Sequence, residues 1–150
     1  MEIIEQLKTK KQYLGNYYYL FILQYQTGCR ITEALNICPQ DLSPNGMVLV
    51  KGLKKSQDRV CYIPELQPLI NKSLSTGNKL FFSMNRFTAY RLLKSIGIQK
   101  LKKGRERESV THIFRDQHAK NIRDLTSNEI VLSQQLGHKN QRNSEYYGKD

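Results

Sequence analysis

The stretch from residue 11 to residue 27 constrains this chain more than any other. Leu14, Tyr18, Phe21, Ile22 and Tyr25 recur at three- and four-residue intervals, the spacing that lines side chains along one face of an α-helix. Lys11–Gln26 therefore reads as a helix with an aromatic stripe that must be buried. Gly28 is placed to end it, because a glycine past the last helical residue accepts the left-handed backbone of a helix stop. Thr32 then reads as the cap of a second, short helix, with Glu33 in its first turn and Leu35 facing inward.

Different punctuation follows. Pro39 and Ser43-Pro44-Asn45-Gly46 are turn signals, and Met47–Val50 and Val60–Ile63 are short β-prone runs separated by the polar stretch Lys51–Asp58. Together they predict an antiparallel hairpin with a lysine-rich connection. Helical spacing returns at Leu66–Leu74 and Thr88–Ile96, and Lys100–Glu108 reads as a charged loop. Thr111 is placed to cap a helix running to about Arg123, and Ser127 or Asn128 to cap another that stops at Gly137. The fold class is α+β, mostly helical with one small antiparallel sheet.

A chain of 150 residues is the size of one domain. No apolar run is long enough to cross a bilayer, and the first residues carry no signal-peptide pattern. Three cysteines, Cys29, Cys38 and Cys61, lack metal-ligand spacing and suit a reducing cytoplasm. Lys and Arg outnumber Asp and Glu by 24 to 13, a formal charge of +11. Such an excess favours polyanions, nucleic acid above all, although a basic surface facing ribosomes or membranes has the same composition.

Five pieces carry chemistry, and their order matters. Thr27-Gly28-Cys29-Arg30-Ile31-Thr32-Glu33 sets an arginine between a helix stop and a helix start. The lysine-rich connection follows, with Lys51, Lys54 and Lys55. His112 and Arg115, three residues apart, share a helix face. His138 follows Leu136-Gly137, and Tyr147 comes nine residues later. Singly, each has an ordinary explanation. Arg30 suits a helix C-terminus, His112 and Arg115 a solvated helix face, and His138 a helix end.

In this order and at these separations the set resembles the tyrosine recombinase (phage integrase) family over nearly the whole chain. The resemblance implies a catalytic domain that cuts and rejoins double-stranded DNA without metal or cofactor. Arg30 and Arg115 would hold the nonbridging oxygens of the scissile phosphate, where forked guanidinium donors meet the charge of a pentavalent transition state. His112 and His138 would bond the phosphate or manage the tyrosine proton. Tyr147 would attack phosphorus and form a 3′-phosphotyrosyl link, with Glu33 orienting Arg30 or a histidine. A hairpin lysine would protonate the leaving 5′-oxygen. Lys55 fits best when Lys55-Ser56 is read as the family's Lys-Thr pair, and Lys54 is next. Lys51, Lys54 and Arg59 are expected to contact DNA. His118 receives no role, and Tyr146 is assigned to packing.

The sequence departs from the family at Asp116-Gln117, where a His followed by Thr or Ser is usual, and returns to it at Ala119. Residues 1–150 read as the catalytic domain alone, with the family's N-terminal DNA clamp and the docking helix after the tyrosine both lacking. The full-length protein is expected to act as a homotetramer on DNA in the cytoplasm, at the nucleoid, and this isolated domain as a monomer. Tyr147 is expected out of attack position without DNA, because its polar segment has little apolar area to anchor it. Two alternatives remain open: a type IB topoisomerase or telomere resolvase, and a DNA-binding module that has lost catalysis.

Overall fold

The computed structural model describes residues 2–54, 56–98 and 112–125, the side chains of His112 and Leu125 excepted. Its centre is the helix α3, Tyr17–Thr27. Leu20, Phe21, Ile22, Leu23 and Gln24 are all buried. Five successive buried residues cover every side of a helix, so α3 is enclosed, not one-sided as a surface helix would be. Around it pack α1 (Ile3–Thr9), α2 (Lys11–Leu14), α4 (Ile31–Leu35) and α7 (His112–Leu125).

The single helix expected over Lys11–Gln26 is two. Gly15 adopts φ 59° and breaks the run after Leu14, and α3 restarts at Tyr17. A residue with a Cβ resists that conformation, so this glycine permits the corner. The helix α1 was not anticipated, although Ile3 and Leu7 already carry a helical interval, and Leu7 is fully buried.

The hairpin is present as expected, in antiparallel register. Strand β1 (Met47–Val50) pairs with β2 (Arg59–Tyr62), setting Val48 opposite Cys61 and Val50 opposite Arg59. Alternation then divides the faces. Val48 and Val50 are buried, whereas Val60 and Tyr62 are 63% and 57% exposed. Arg59 and Cys61 therefore share the inner face. Helices α5 (Gln67–Thr76) and α6 (Arg86–Ser95) complete the described fold, each within two residues of expectation. Asn85 caps α6 by accepting the Thr88 N–H at 2.9 Å.

Helix α7 brings distant sequence onto the core. Phe114 stacks on Phe21, with ring centroids 5.6 Å apart, and the Asn121 amide donates to the Tyr25 hydroxyl at 3.3 Å. This packing fixes the rotation of α7 and so decides which way Arg115 and His118 face. Among the described residues, no helix is long and apolar enough to cross a membrane. The charged loop expected at Lys100–Glu108 and the helix expected to end at Gly137 lie outside the described residues.

Candidate functional site

The segment Thr27–Glu33 is built as its residue types require. Gly28 ends α3 in the left-handed region, φ 70°, and its N–H reaches the Gln24 carbonyl at 2.8 Å. An L-residue there would cost roughly 1–2 kcal/mol. The Thr27 hydroxyl donates to the Leu23 carbonyl at 2.8 Å and accepts the Cys29 N–H at 3.2 Å. The chain then extends, and Arg30, not Thr32, is the N-cap of α4. Arginine has no side-chain acceptor, so the capping comes from the other direction. Glu33 reaches back and accepts the Arg30 N–H at 2.7 Å.

Glu33 does much more. Its side chain is fully buried, and its two oxygens collect four contacts from three parts of the chain. Oε1 accepts the Arg30 N–H and the Arg59 guanidinium, the latter at 3.0 Å. Oε2 accepts the Leu53 N–H at 2.8 Å and lies 3.7 Å from the Arg30 guanidinium. Arg30 itself donates to the Ser56 hydroxyl. The lysine-rich connection is thus held on both sides of Lys54 and Lys55, at Leu53 by Glu33 and at Ser56 by Arg30.

Between those anchors the backbone turns tightly, with the Ser56 N–H bonded to the Leu53 carbonyl at 3.0 Å. Lys54 takes φ 58°, a left-handed conformation unusual for a lysine. Gly52 packs where a Cβ would collide with the Ser56 backbone, and its N–H bonds the Asp58 carboxylate at 2.9 Å. Lys54 is exposed. Lys51 is tied elsewhere, 3.3 Å from buried Asp41. This difference separates Lys51 from Lys54 among the candidate acids.

Arg115 arrives from α7 and docks on the same loop. Its guanidinium donates to the Gly28 carbonyl, two residues before Arg30, and the residue is only 1% exposed. Arg59, expected among the DNA contacts, faces inward: its side chain is 9% exposed and paired with Glu33. The sequence carried a signal for this, since Arg59, Cys61 and Ile63 alternate with Val60 and Tyr62. Cys29 sits among these groups. Burial pushes its thiol up, and after its Thr27 hydrogen bond the charges acting on it are those of Arg59, Glu33 and Arg115. His112 opens α7, and of its side chain nothing is described. Lys55, His138 and Tyr147 lie outside the described residues, as does the expected displacement of Tyr147. Among the described residues no three His, Cys, Asp or Glu side chains form a metal-ligand group.

His118, given no role by sequence, is buried one turn beyond Arg115 on α7. Burial, then the charges of Arg59 and Arg115, hold its imidazole down at about 4, against a weaker opposing hydrogen bond to the Tyr25 backbone. Its Nε2 is buried without a hydrogen-bond partner among the described residues. It is a neutral histidine within the field of two arginines.

The sequence pattern of the phage integrase family matches residues 1–150. The chain belongs to that family, and its fold is that of a tyrosine recombinase catalytic domain. No protein of curated function matches its sequence. Among solved structures, it is similar to the XerH site-specific recombinase bound to a palindromic difH substrate, with TM-score 0.73 and 18% identity, over 98% of this chain and 47% of that one. It is similar to the XerA recombinase with TM-score 0.71 and 20% identity, over 98% of this chain and 58% of that one. The catalytic domain of bacteriophage HP1 integrase gives TM-score 0.63 and 20% identity, over 88% of this chain and 73% of that domain. The chain thus spans about half the length of the Xer recombinases it matches.

His118, buried near the two arginines, gives the fold a pH dependence. Its folded pKa of about 4 lies below the unfolded value of 6.5. The unfolded chain therefore takes up a proton first as pH falls, and stability drops between those values. Urea unfolding at pH 7 and pH 4 should show the native protein losing about 3 kcal/mol more than His118→Gln. Equal losses in the two proteins would remove His118 from the account.

Proposed function

We propose that this chain is the catalytic domain of a site-specific recombinase that cleaves and rejoins double-stranded DNA through a covalent bond to Tyr147. The observation that carries the reading is the joining of three separated segments at one loop. Arg30 stands at its end, Arg115 docks on its Gly28 carbonyl, and the lysine turn is bonded to Arg30 and Glu33. Two guanidinium groups and an adjoining ammonium are the donors that a phosphodiester requires when its oxygens take on charge.

In this reading the Tyr147 hydroxyl loses its proton and its oxygen attacks phosphorus. A phosphorus–tyrosine bond forms, the bond to the 5′-oxygen breaks, and that oxygen takes a proton from Lys55. Arg30 and Arg115 hold the nonbridging oxygens, with His112 and His138 hydrogen-bonding the phosphate or receiving the tyrosine proton. The covalent link conserves the bond, so the reverse attack by a 5′-hydroxyl reseals the strand. Lys54, exposed on the lysine turn, and Lys51, exposed although paired with Asp41, contact the DNA backbone and contribute affinity without sequence preference. The whole protein works as a tetramer on paired DNA duplexes, at the nucleoid.

The direct test uses a pool of random-sequence duplexes, each nicked once so that a cleaved strand end diffuses away. The full chain should form an adduct stable to detergent, Tyr147→Phe should form none, and Tyr146→Phe should remain active. Adduct formation by Tyr147→Phe would displace the nucleophile, and its absence from the native chain would overturn the reading.

The proton donor has its own signature. Lys55→Ala should slow cleavage roughly 10²–10⁴-fold, and a substrate with sulfur at the bridging 5′ position should restore the rate, because a thiolate leaves unprotonated. Rescue confined to Lys54→Ala would move the role to Lys54.

A further inference from the structure

Arg59 is an arginine placed where a strand presents its inner side. The register sets it opposite buried Val50, and alternation puts it with Cys61 on the face turned from solvent. It is one of two cations within ion-pair distance of Glu33 among the described residues, and the two are held unequally. Arg59 lies 3.0 Å from the carboxylate, whereas the Arg30 guanidinium stands 3.7 Å away. The closer contact is a charge-assisted hydrogen bond, and the longer one exceeds hydrogen-bond range.

A fully buried carboxylate requires a compensating charge. Arg59 supplies it, so Arg30 does not have to. The Arg30 guanidinium instead donates to the neutral hydroxyl of Ser56, a partner that a phosphate oxygen with full negative charge can displace. Take Arg59 away, and among the described residues Arg30 is the cation left to close on Glu33, which would draw its donors from the position where a phosphate would sit.

We propose that Arg59 is a positioning residue for strand cleavage, one that neutralises Glu33 and thereby keeps the Arg30 guanidinium directed at the scissile phosphate. It acts through Glu33 and not by touching DNA. The inference rests on the recombinase reading above.

The test measures single-turnover adduct formation by the full chain on the nicked duplex pool, at saturating DNA, for Arg59→Met, Glu33→Gln and the double variant. Circular dichroism confirms folding, and filter retention reports DNA binding. Arg59→Met should cut the rate about 10- to 100-fold, the range typical of a residue that orients a functional group from behind, with DNA retention unchanged. Adding Glu33→Gln should recover several-fold of that loss, because the buried charge that captures Arg30 is gone. A merely structural ion pair predicts no rate change in a folded variant and no such recovery. Should Arg59→Met not fold, Arg59→Lys carries the test: it keeps the charge, and its rate should fall less than tenfold. An Arg59→Met rate equal to the native one, a double variant no faster than Arg59→Met, or a folded Arg59→Lys slowed a hundredfold would each overturn the proposal. A native chain that forms no adduct would instead overturn the recombinase reading, and the inference with it.

Discussion

The described part of the site depends on the burial of one carboxylate. Glu33 lies in the first turn of a five-residue helix, too short to be stable alone. Its charge has no access to water, so every lone pair it presents must be met from within the protein. The partners that meet it come from residues 30, 53 and 59. Satisfying this single group therefore brings the arginine loop, the lysine turn and the inner face of the hairpin to one place.

The second constraint is the packing of α7 on α3. Residues 87 positions apart, Arg115 and Gly28, meet because Phe114 is pressed on Phe21. An apolar contact sets the angle of the helix, and the polar contact beside it then falls on the carbonyl of the residue that ends α3. Core and site are adjacent positions of one helix, so a change in packing at Phe114 would be felt at Arg115. His118 extends the same logic: the helix that delivers Arg115 also buries an imidazole against it, and burial keeps that imidazole neutral and adds no further positive charge.

Much of this was legible in the sequence. The helical stripe, the stop at Gly28, the hairpin and the helices α5 and α6 all follow from local spacing and turn chemistry, and the ordered motifs identified the family. Other features were not local. The corner at Gly15 is hidden inside an uninterrupted helical pattern, and only packing decides whether a glycine there bends or continues. Arg59 looked like one more surface cation because it adjoins a lysine-rich stretch. Its inward side is set by strand register, which depends on where β1 begins and how the connection turns. The role of Ser56 was equally invisible, since it exists only once Arg30 is folded against the hairpin. Lys51 differs from Lys54 for a similar reason: its partner, Asp41, is buried in a turn ten residues earlier.

The claim that Glu33 fastens the arginine loop to the lysine turn is open to a measurement that needs no DNA. Native-state hydrogen exchange reports the amides of Arg30 and Leu53 one by one, and each donates to a different oxygen of Glu33. Glu33→Gln exchanges one acceptor for a donor, so both amides cannot keep their bonds. Hydrogen bonds to charged groups are worth about 1.5–3 kcal/mol, which predicts a loss of protection of about tenfold or more at one or both amides, with the amides of α3 unchanged. Native-like protection at both Arg30 and Leu53 in that variant would contradict the account.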